Sequence, residues 1–178
     1  MSNGKESRYL PCAPLRARMR RIALSALAHY HDFDVKPWKA TFKMLKWKRD
    51  NIDNLGSKRP KVLVIVGPPR CGKTEWAMSF GRPIQMMGRW NLDEMFKKDY
   101  THLVLDDIHS KFRYKRELAS GQKLEKAKGK YRREQTINFD KPVIFTFDPN
   151  NKVWNDKKFQ GYLSDSGAVI VKVSRKLY

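Results

Sequence analysis

Cysteine is scarce in this chain: two residues, Cys12 and Cys71, among 178. Two thiols cannot build a disulfide framework or a zinc site alone, and a reducing compartment suits them. Long apolar runs are missing as well. None approaches the roughly 18 residues that crossing a bilayer requires. No basic leader with an apolar stretch and a small-residue cleavage site opens the sequence, so neither secretion nor a membrane anchor is expected. Negative charge is also in short supply. Eighteen Asp and Glu stand against 38 Lys and Arg, a formal net charge of +20. Such an excess attracts polyanions and makes their binding salt-dependent. Nucleic acid is the first class of partner this balance suggests, and an anionic membrane surface the second.

Two compositional zones divide the chain. Residues 1–60 hold 14 basic and 5 acidic residues, with Trp38, Phe42 and Trp47 interleaved. Leu15–Tyr30 has the pattern of a basic amphipathic helix. Pro37 to about Arg49 reads as a second, short one, with proline at its first turn. From Lys61 the texture changes. Val62-Leu63-Val64-Ile65-Val66 is a continuous apolar run, the mark of a strand buried on both faces. Similar runs lie at His102–Leu105, Val143–Phe147 and Ala168–Val173, with Arg82–Met86 a weaker one. Helical stretches fit between them, Lys73–Phe80 and Tyr114–Lys128 among them. Strands alternating with helices predict a three-layer α/β domain over 61–178 around a parallel sheet.

One turn between these elements carries chemistry. Gly67-Pro68-Pro69-Arg70-Cys71-Gly72-Lys73-Thr74 fits G-x-x-x-x-G-K-[ST] in full, directly after an apolar strand and opening into a helix. The glycines let successive N–H groups face phosphate oxygens, and the helix start adds partial positive charge. Lys73 offers a cation to the β and γ phosphates, Thr74 a hydroxyl to Mg²⁺. The bland alternative is a glycine-rich turn that binds nothing, but such a turn has no use for Lys-Thr in that place. Downstream, His102-Leu103-Val104-Leu105 ends in Asp106-Asp107. Two adjacent carboxylates repel unless a cation sits nearby. Asp106 is the candidate Mg²⁺ ligand, and Asp107 the group that orients or deprotonates water. A pair that merely caps the next turn is the alternative.

Residues 111–133 contain ten basic residues against Glu117 and Glu125, broken by Gly121 and Gly129. A helix followed by a basic, glycine-hinged loop suits gripping a phosphate backbone, with Tyr131 able to stack on a base. A solvated charged face is the alternative, but such faces usually mix signs.

The order of these motifs resembles superfamily 3 helicases, and most the helicase part of replication-initiator (Rep) proteins of circular single-stranded DNA viruses, the geminivirus kind, or of related plasmids. The likeness covers about Lys61 to Asn150. It rests on Gly67–Thr74, Trp76 in the following helix, the Asp106-Asp107 pair, Gln122, Lys130-Tyr131, Ile137 and Pro142, in one register from Gln122 to Asp148. It implies an AAA+-like P-loop fold, with ATP and Mg²⁺ held by Gly67–Thr74, Glu75 and Asp106. It implies a DNA-contacting loop carrying Lys128, Lys130, Tyr131, Arg132 and Arg133. The family works as a ring, here a hexamer, in which an arginine reaches the neighbour's site. Arg175 is the arginine after the fourth strand and takes that expectation. The family has Asn at the end of the fourth strand, where this chain has Asp148. An Asp can orient water but adds negative charge, and Asn150 stands two residues on as a substitute. Residues 1–60 are too short for the family's nicking domain. His29-Tyr30-His31 lies on a helical pattern and lacks the Tyr-x-x-Lys that its metal motif would need.

The expected protein is therefore an ATP-dependent DNA helicase module. Its strand at Lys61–Val66 is central, flanked by the acidic and fourth strands. Residues 1–60 serve as an oligomerisation collar or DNA-binding arm. Its partners are single-stranded DNA or RNA, further copies of itself, and a separate nicking endonuclease. Its location is the host nucleus for a virus of eukaryotes and the cytoplasm otherwise. Two rivals stay open: a small-molecule kinase of the P-loop class, and a nucleic-acid-binding protein whose ATPase has decayed.

Overall fold

A computed structural model describes residues 37–54, 59–96, 99–121 and 141–178, together with the backbone of 124–127 and 135–137. All of these belong to one compact unit, Pro37–Tyr178. The amphipathic pattern at Leu15–Tyr30, the His29–His31 triplet and Cys12 lie outside the described residues.

The unit opens with helix α1, Phe42–Lys48. Thr41 starts it, its hydroxyl accepting the Met44 N–H at 3.3 Å, a usual N-cap arrangement. A π-helical turn, Arg49–Asp53, continues it. Sequence composition groups these residues with the N-terminal zone, but they pack with the sheet. Met44 and Trp47 are buried, and the Trp47 indole donates to the Lys61 carbonyl at 2.6 Å. Asn51 accepts from Lys61 N at 2.7 Å. The helix is thereby tied to the chain entering β1.

Strands β1 (Leu63–Val66), β2 (Pro83–Met87), β3 (His102–Asp106), β6 (Val143–Phe147) and β7 (Val169–Lys172) form one parallel sheet in the order β2-β3-β6-β1-β7. Alternate residues face opposite cores. Val64, Leu105, Phe145 and Phe147 meet Leu118 and Ala119 of α3 (Lys115–Ser120) and Phe159 and Leu163 of α4 (Lys157–Asp165) on one face. Leu63, Ile65, Val104 and Ile144 meet α1 and Trp76 and Ala77 of α2 (Lys73–Met78) on the other. This is the three-layer α/β P-loop fold, and it explains why these strands are largely apolar on both faces.

Two expectations need correction. The acidic strand β3 does not flank β1; β6 lies between them, and β1 pairs with β6 and β7. A strand that is apolar on both faces fits any interior place in a sheet, so its pattern carries no information about order. The helix expected over Tyr114–Lys128 also stops early. Gly121 takes a left-handed φ of 58°, and its N–H closes on the Glu117 and Leu118 carbonyls, a helix stop that glycine adopts at little cost. Leu124–Ala127 is then a strand, β4, paired antiparallel with β5, Gln135–Ile137. This two-stranded ribbon is inserted between β3 and β6.

Candidate nucleotide site

The strand order brings four segments together at the carboxyl ends of β1, β3 and β6, where open parallel sheets place their ligands. The first is the turn Gly67–Thr74. The Gly67 N–H bonds the Phe147 carbonyl at 3.1 Å, which fixes the turn against β6. A Cβ at Gly67 would lie 2.5 Å from the Val173 carbonyl, so no other residue fits there without a shift. Gly72 has φ +90°, and a Cβ on it would meet the Tyr178 ring at 2.9 Å. The tail after β7 runs beside the turn. Leu177 N donates to the Cys71 carbonyl at 2.9 Å, and the Tyr178 hydroxyl to the Arg70 carbonyl at 3.2 Å. Pro68, Pro69 and Arg70 are exposed, and Cys71 is buried.

Lys73 is 7 % exposed. Its ammonium donates to the Gly67 and Pro68 carbonyls, both at 2.8 Å, and to Asp148 Oδ1 at 3.0 Å. Burying a charge is costly unless it is paired and hydrogen-bonded, and here the pairing is complete. The next residue, Thr74, donates to Asp106 Oδ1 at 2.9 Å. Asp106 also accepts from Thr146 at 2.6 Å and from Gln85 at 3.2 Å. Hydroxyl and carboxylate oxygens are the donor set that Mg²⁺ prefers. Together with two glycines at which a side chain has no room, they fit a phosphate–magnesium ligand.

Asp107 turns outward with φ +43° and is exposed. The Asn151 amide donates to its Oδ1 at 2.6 Å and to the Ile108 carbonyl at 3.3 Å. On its other side Asn151 Oδ1 accepts the N–H groups of Val153 and Trp154, at 2.7 and 3.2 Å. The residue is clamped from both ends.

Sequence reasoning thus names Lys73, Thr74, Asp106, Asp107 and Asp148, and all five lie at this end of the sheet in three side-chain hydrogen-bonded sets, Lys73 with Asp148, Thr74 with Asp106, and Asp107 with Asn151. It misses three residues. The Asn that reaches Asp107 is Asn151, not Asn150, which is exposed; the turn Asp148–Asn151, closed by Asn151 N to the Asp148 carbonyl at 3.0 Å, decides between them. Thr146 and Gln85 are the others, each a lone polar residue in an apolar strand, and that oddity is a signal the sequence does contain. Glu75 lies exposed on the first turn of α2, and Arg175 lies exposed on the tail after β7. Lys128, Lys130, Tyr131, Arg132 and Arg133 lie outside the described residues. The strands β4 and β5 bracket that stretch in sequence.

Fold and site together define a P-loop nucleotide-triphosphatase architecture. No family model matches the chain. Similar solved structures include NtrX from Brucella abortus in complex with ADP, at 14% identity and a TM-score of 0.44. The same protein in complex with ATP matches at 16% and 0.41. Each match covers 90% of this chain and 42% of the other, so the chain spans less than half the length of those neighbours. At such scores the likeness supports no conclusion about activity. Among the described residues no helix is long and apolar enough to cross a membrane.

Proposed function

We propose that this chain binds ATP and hydrolyses it to drive movement along single-stranded DNA, as a superfamily 3 helicase module of a viral or plasmid replication protein. The observation that carries the nucleotide half is the convergence of Lys73, Thr74, Asp106, Asp107 and Asn151 at one end of the sheet. Support for the DNA half is the antiparallel ribbon β4–β5 between β3 and β6, bracketing the basic residues of 128–133, and the charge of +20.

Each residue has a defined task in this reading. The N–H groups of Gly67–Thr74 receive the phosphate oxygens. Lys73 neutralises the charge that grows on the β–γ bridge as it breaks. Thr74 and Asp106 would hold Mg²⁺, whose chemistry is to offset phosphate charge. Asp107 accepts a proton from the attacking water, and Asn151 aims it. Asp148 holds Lys73 until phosphate takes that role. Arg175 is proposed as the arginine offered to a neighbouring copy in a ring, probed by mass. Residues 1–36 are proposed as the collar or DNA-binding arm.

The test is ATP turnover with and without single-stranded DNA or RNA, alongside a mass measurement in ATP. Stimulation by a strand and a ring-sized mass are expected, with Lys73→Ala abolishing turnover. A protein that turns over ATP as a monomer, indifferent to any strand, sinks the helicase reading. Phosphoryl transfer to nucleoside monophosphates in the absence of DNA would point to a kinase instead.

A further inference from the structure

A second concavity adjoins the site. Three loops surround it, following β2, β3 and β6, the three adjacent strands on one side of β1. Its volume is about 930 Å³, the size of pockets that take ligands of nucleotide size. Arg89 comes from the first loop, Lys111 and Arg113 from the second, Lys152 from the third. All four are exposed. Among the described residues none lining the concavity is acidic, and none of the four cations has a carboxylate partner there. Trp90 and Phe112 line it too, their rings edge-to-face at 6.1 Å.

Four cations around one hollow repel each other and are relieved by a polyanion. A positively charged groove that follows the backbone is one means by which single strands are held without regard to sequence. The hollow is also connected to the cluster that holds Asp107. Asn151 lines it while donating to Asp107 and Ile108; Lys152 follows Asn151, and Ile108 leads into the loop that carries Lys111 and Arg113. An anion seated here pulls on both ends of the hydrogen-bond clamp that aims Asp107.

We propose that the cleft formed by Arg89, Lys111, Arg113 and Lys152 is a binding site for the phosphodiester backbone of single-stranded nucleic acid, and that Asn151 reports its occupancy to Asp107. The site's coupling to turnover rests on the ATPase reading, while its binding does not.

The experiment compares the full chain with the triple variant Arg89→Ala/Lys111→Ala/Lys152→Ala, using a fluorescent oligothymidylate and a fluorescent ATP analogue. Circular dichroism and thermal melting establish that the variant folds, as expected for three exposed side chains. Oligonucleotide affinity is expected to fall at least tenfold. The slope of log affinity against log salt is expected to shrink by about 2, since each single-strand phosphate contact contributes roughly 0.7. ATP-analogue affinity and basal turnover stay unchanged, and stimulation by the strand disappears. Unchanged oligonucleotide affinity and salt slope overturn the site. Loss of binding to a free nucleoside monophosphate, with oligonucleotide binding intact, overturns it in favour of a phosphoryl-acceptor pocket. Lost strand affinity with basal turnover that never responded to DNA keeps the site and removes the coupling. If wild-type protein hydrolyses no ATP, the binding and salt arms still decide the cleft, and the failure belongs to the ATPase reading. A single charge reversal, Lys152→Glu, gives the same reading should the triple variant misfold.

Discussion

Asp106 and Asp107 are neighbours in the chain with opposite surroundings. Asp106 is half-buried and accepts from three side chains, Thr74, Thr146 and Gln85, drawn from three segments. Asp107 is exposed, sits in a left-handed backbone conformation, and has one amide, from Asn151, on its carboxylate. A carboxylate with three fixed donors cannot swing; a carboxylate with one can. The first suits a static cation ligand. The second suits a group that must meet a water molecule and take its proton. Identical side chains one peptide apart thus acquire different tasks from the strand end that divides them.

The sharpest way to break this contrast is to alter each carboxylate in turn. Asp107→Asn is expected to lower ATP turnover by about 10²–10⁴, the usual share of a positioned acid–base group. Its melting temperature should stay at the wild-type value, because an exposed residue loses little. Asp106→Ala should lose Mg²⁺-dependent nucleotide binding and also stability. Thr146 is fully buried, and its hydroxyl would lose its carboxylate acceptor, which costs about 1–3 kcal/mol. For a chain of this size each kcal/mol lowers the melting temperature by roughly 2–4 °C. Calorimetry of both variants checks the pair. Equal destabilisation by the two would erase the distinction drawn between them.

Asp148 offers a finer cut, since it separates Lys73 from its phosphate role. The carboxylate lies 3.0 Å from the Lys73 ammonium and is 40% exposed. Asp148→Asn removes a negative charge from the phosphate pocket and keeps the shape. ATP affinity is expected to rise about tenfold, ~1.4 kcal/mol, as read by titration with a fluorescent nucleotide. Weaker binding would show that Asp148 is needed to hold Lys73 in place, and that placement outweighs repulsion.

The same contrast explains what the sequence made legible. Gly67–Thr74 is a local feature: one turn, continuous in the chain, whose residue types follow from its backbone. Asp106-Asp107 is local too. What joins them is not. That β6 lies between β1 and β3 depends on packing among strands that are all apolar on both faces, and no pattern in Val62–Val66 or His102–Leu105 encodes it. Because β6 lies there, Thr146 and Asp148 reach the site. Asn151 rather than Asn150 does so because of a four-residue turn, and a one-residue offset in a turn is below what spacing can resolve. The end of α3 was readable in principle, since Gly121 stands where the helix stops. The basic run beyond it carried the helical expectation too far, because Lys and Arg favour helices while pairing between β4 and β5 overrides that preference.

The smallest expected effect concerns a residue outside the site that shares β3 with Asp106. His102 begins that strand and is fully buried. Its Nε2 lies 2.9 Å from the Ala77 carbonyl and its Nδ1 2.8 Å from the Thr101 hydroxyl. A carbonyl only accepts, so Nε2 carries the proton and Nδ1 accepts from Thr101. The neutral ring therefore satisfies both partners, and its face stacks on Phe80 at 4.8 Å. Burial pushes its pKa below the ordinary 6.5, although the Ala77 hydrogen bond acts the other way. The unfolded chain thus takes up a proton near pH 6.5 that the folded chain refuses. Below that pH the unfolded state is favoured, so the stability is complete above 6.5 and drains away as pH falls toward the folded pKa. Between pH 7.5 and 5.5 the stability from this one ring falls, by no more than roughly 1.36 kcal/mol per pH unit. Denaturant unfolding at the two pH values measures it. The paired measurement on His102→Gln, which has no proton to gain, is expected to show a correspondingly smaller difference between the two pH values; an unchanged difference would assign the effect to other groups.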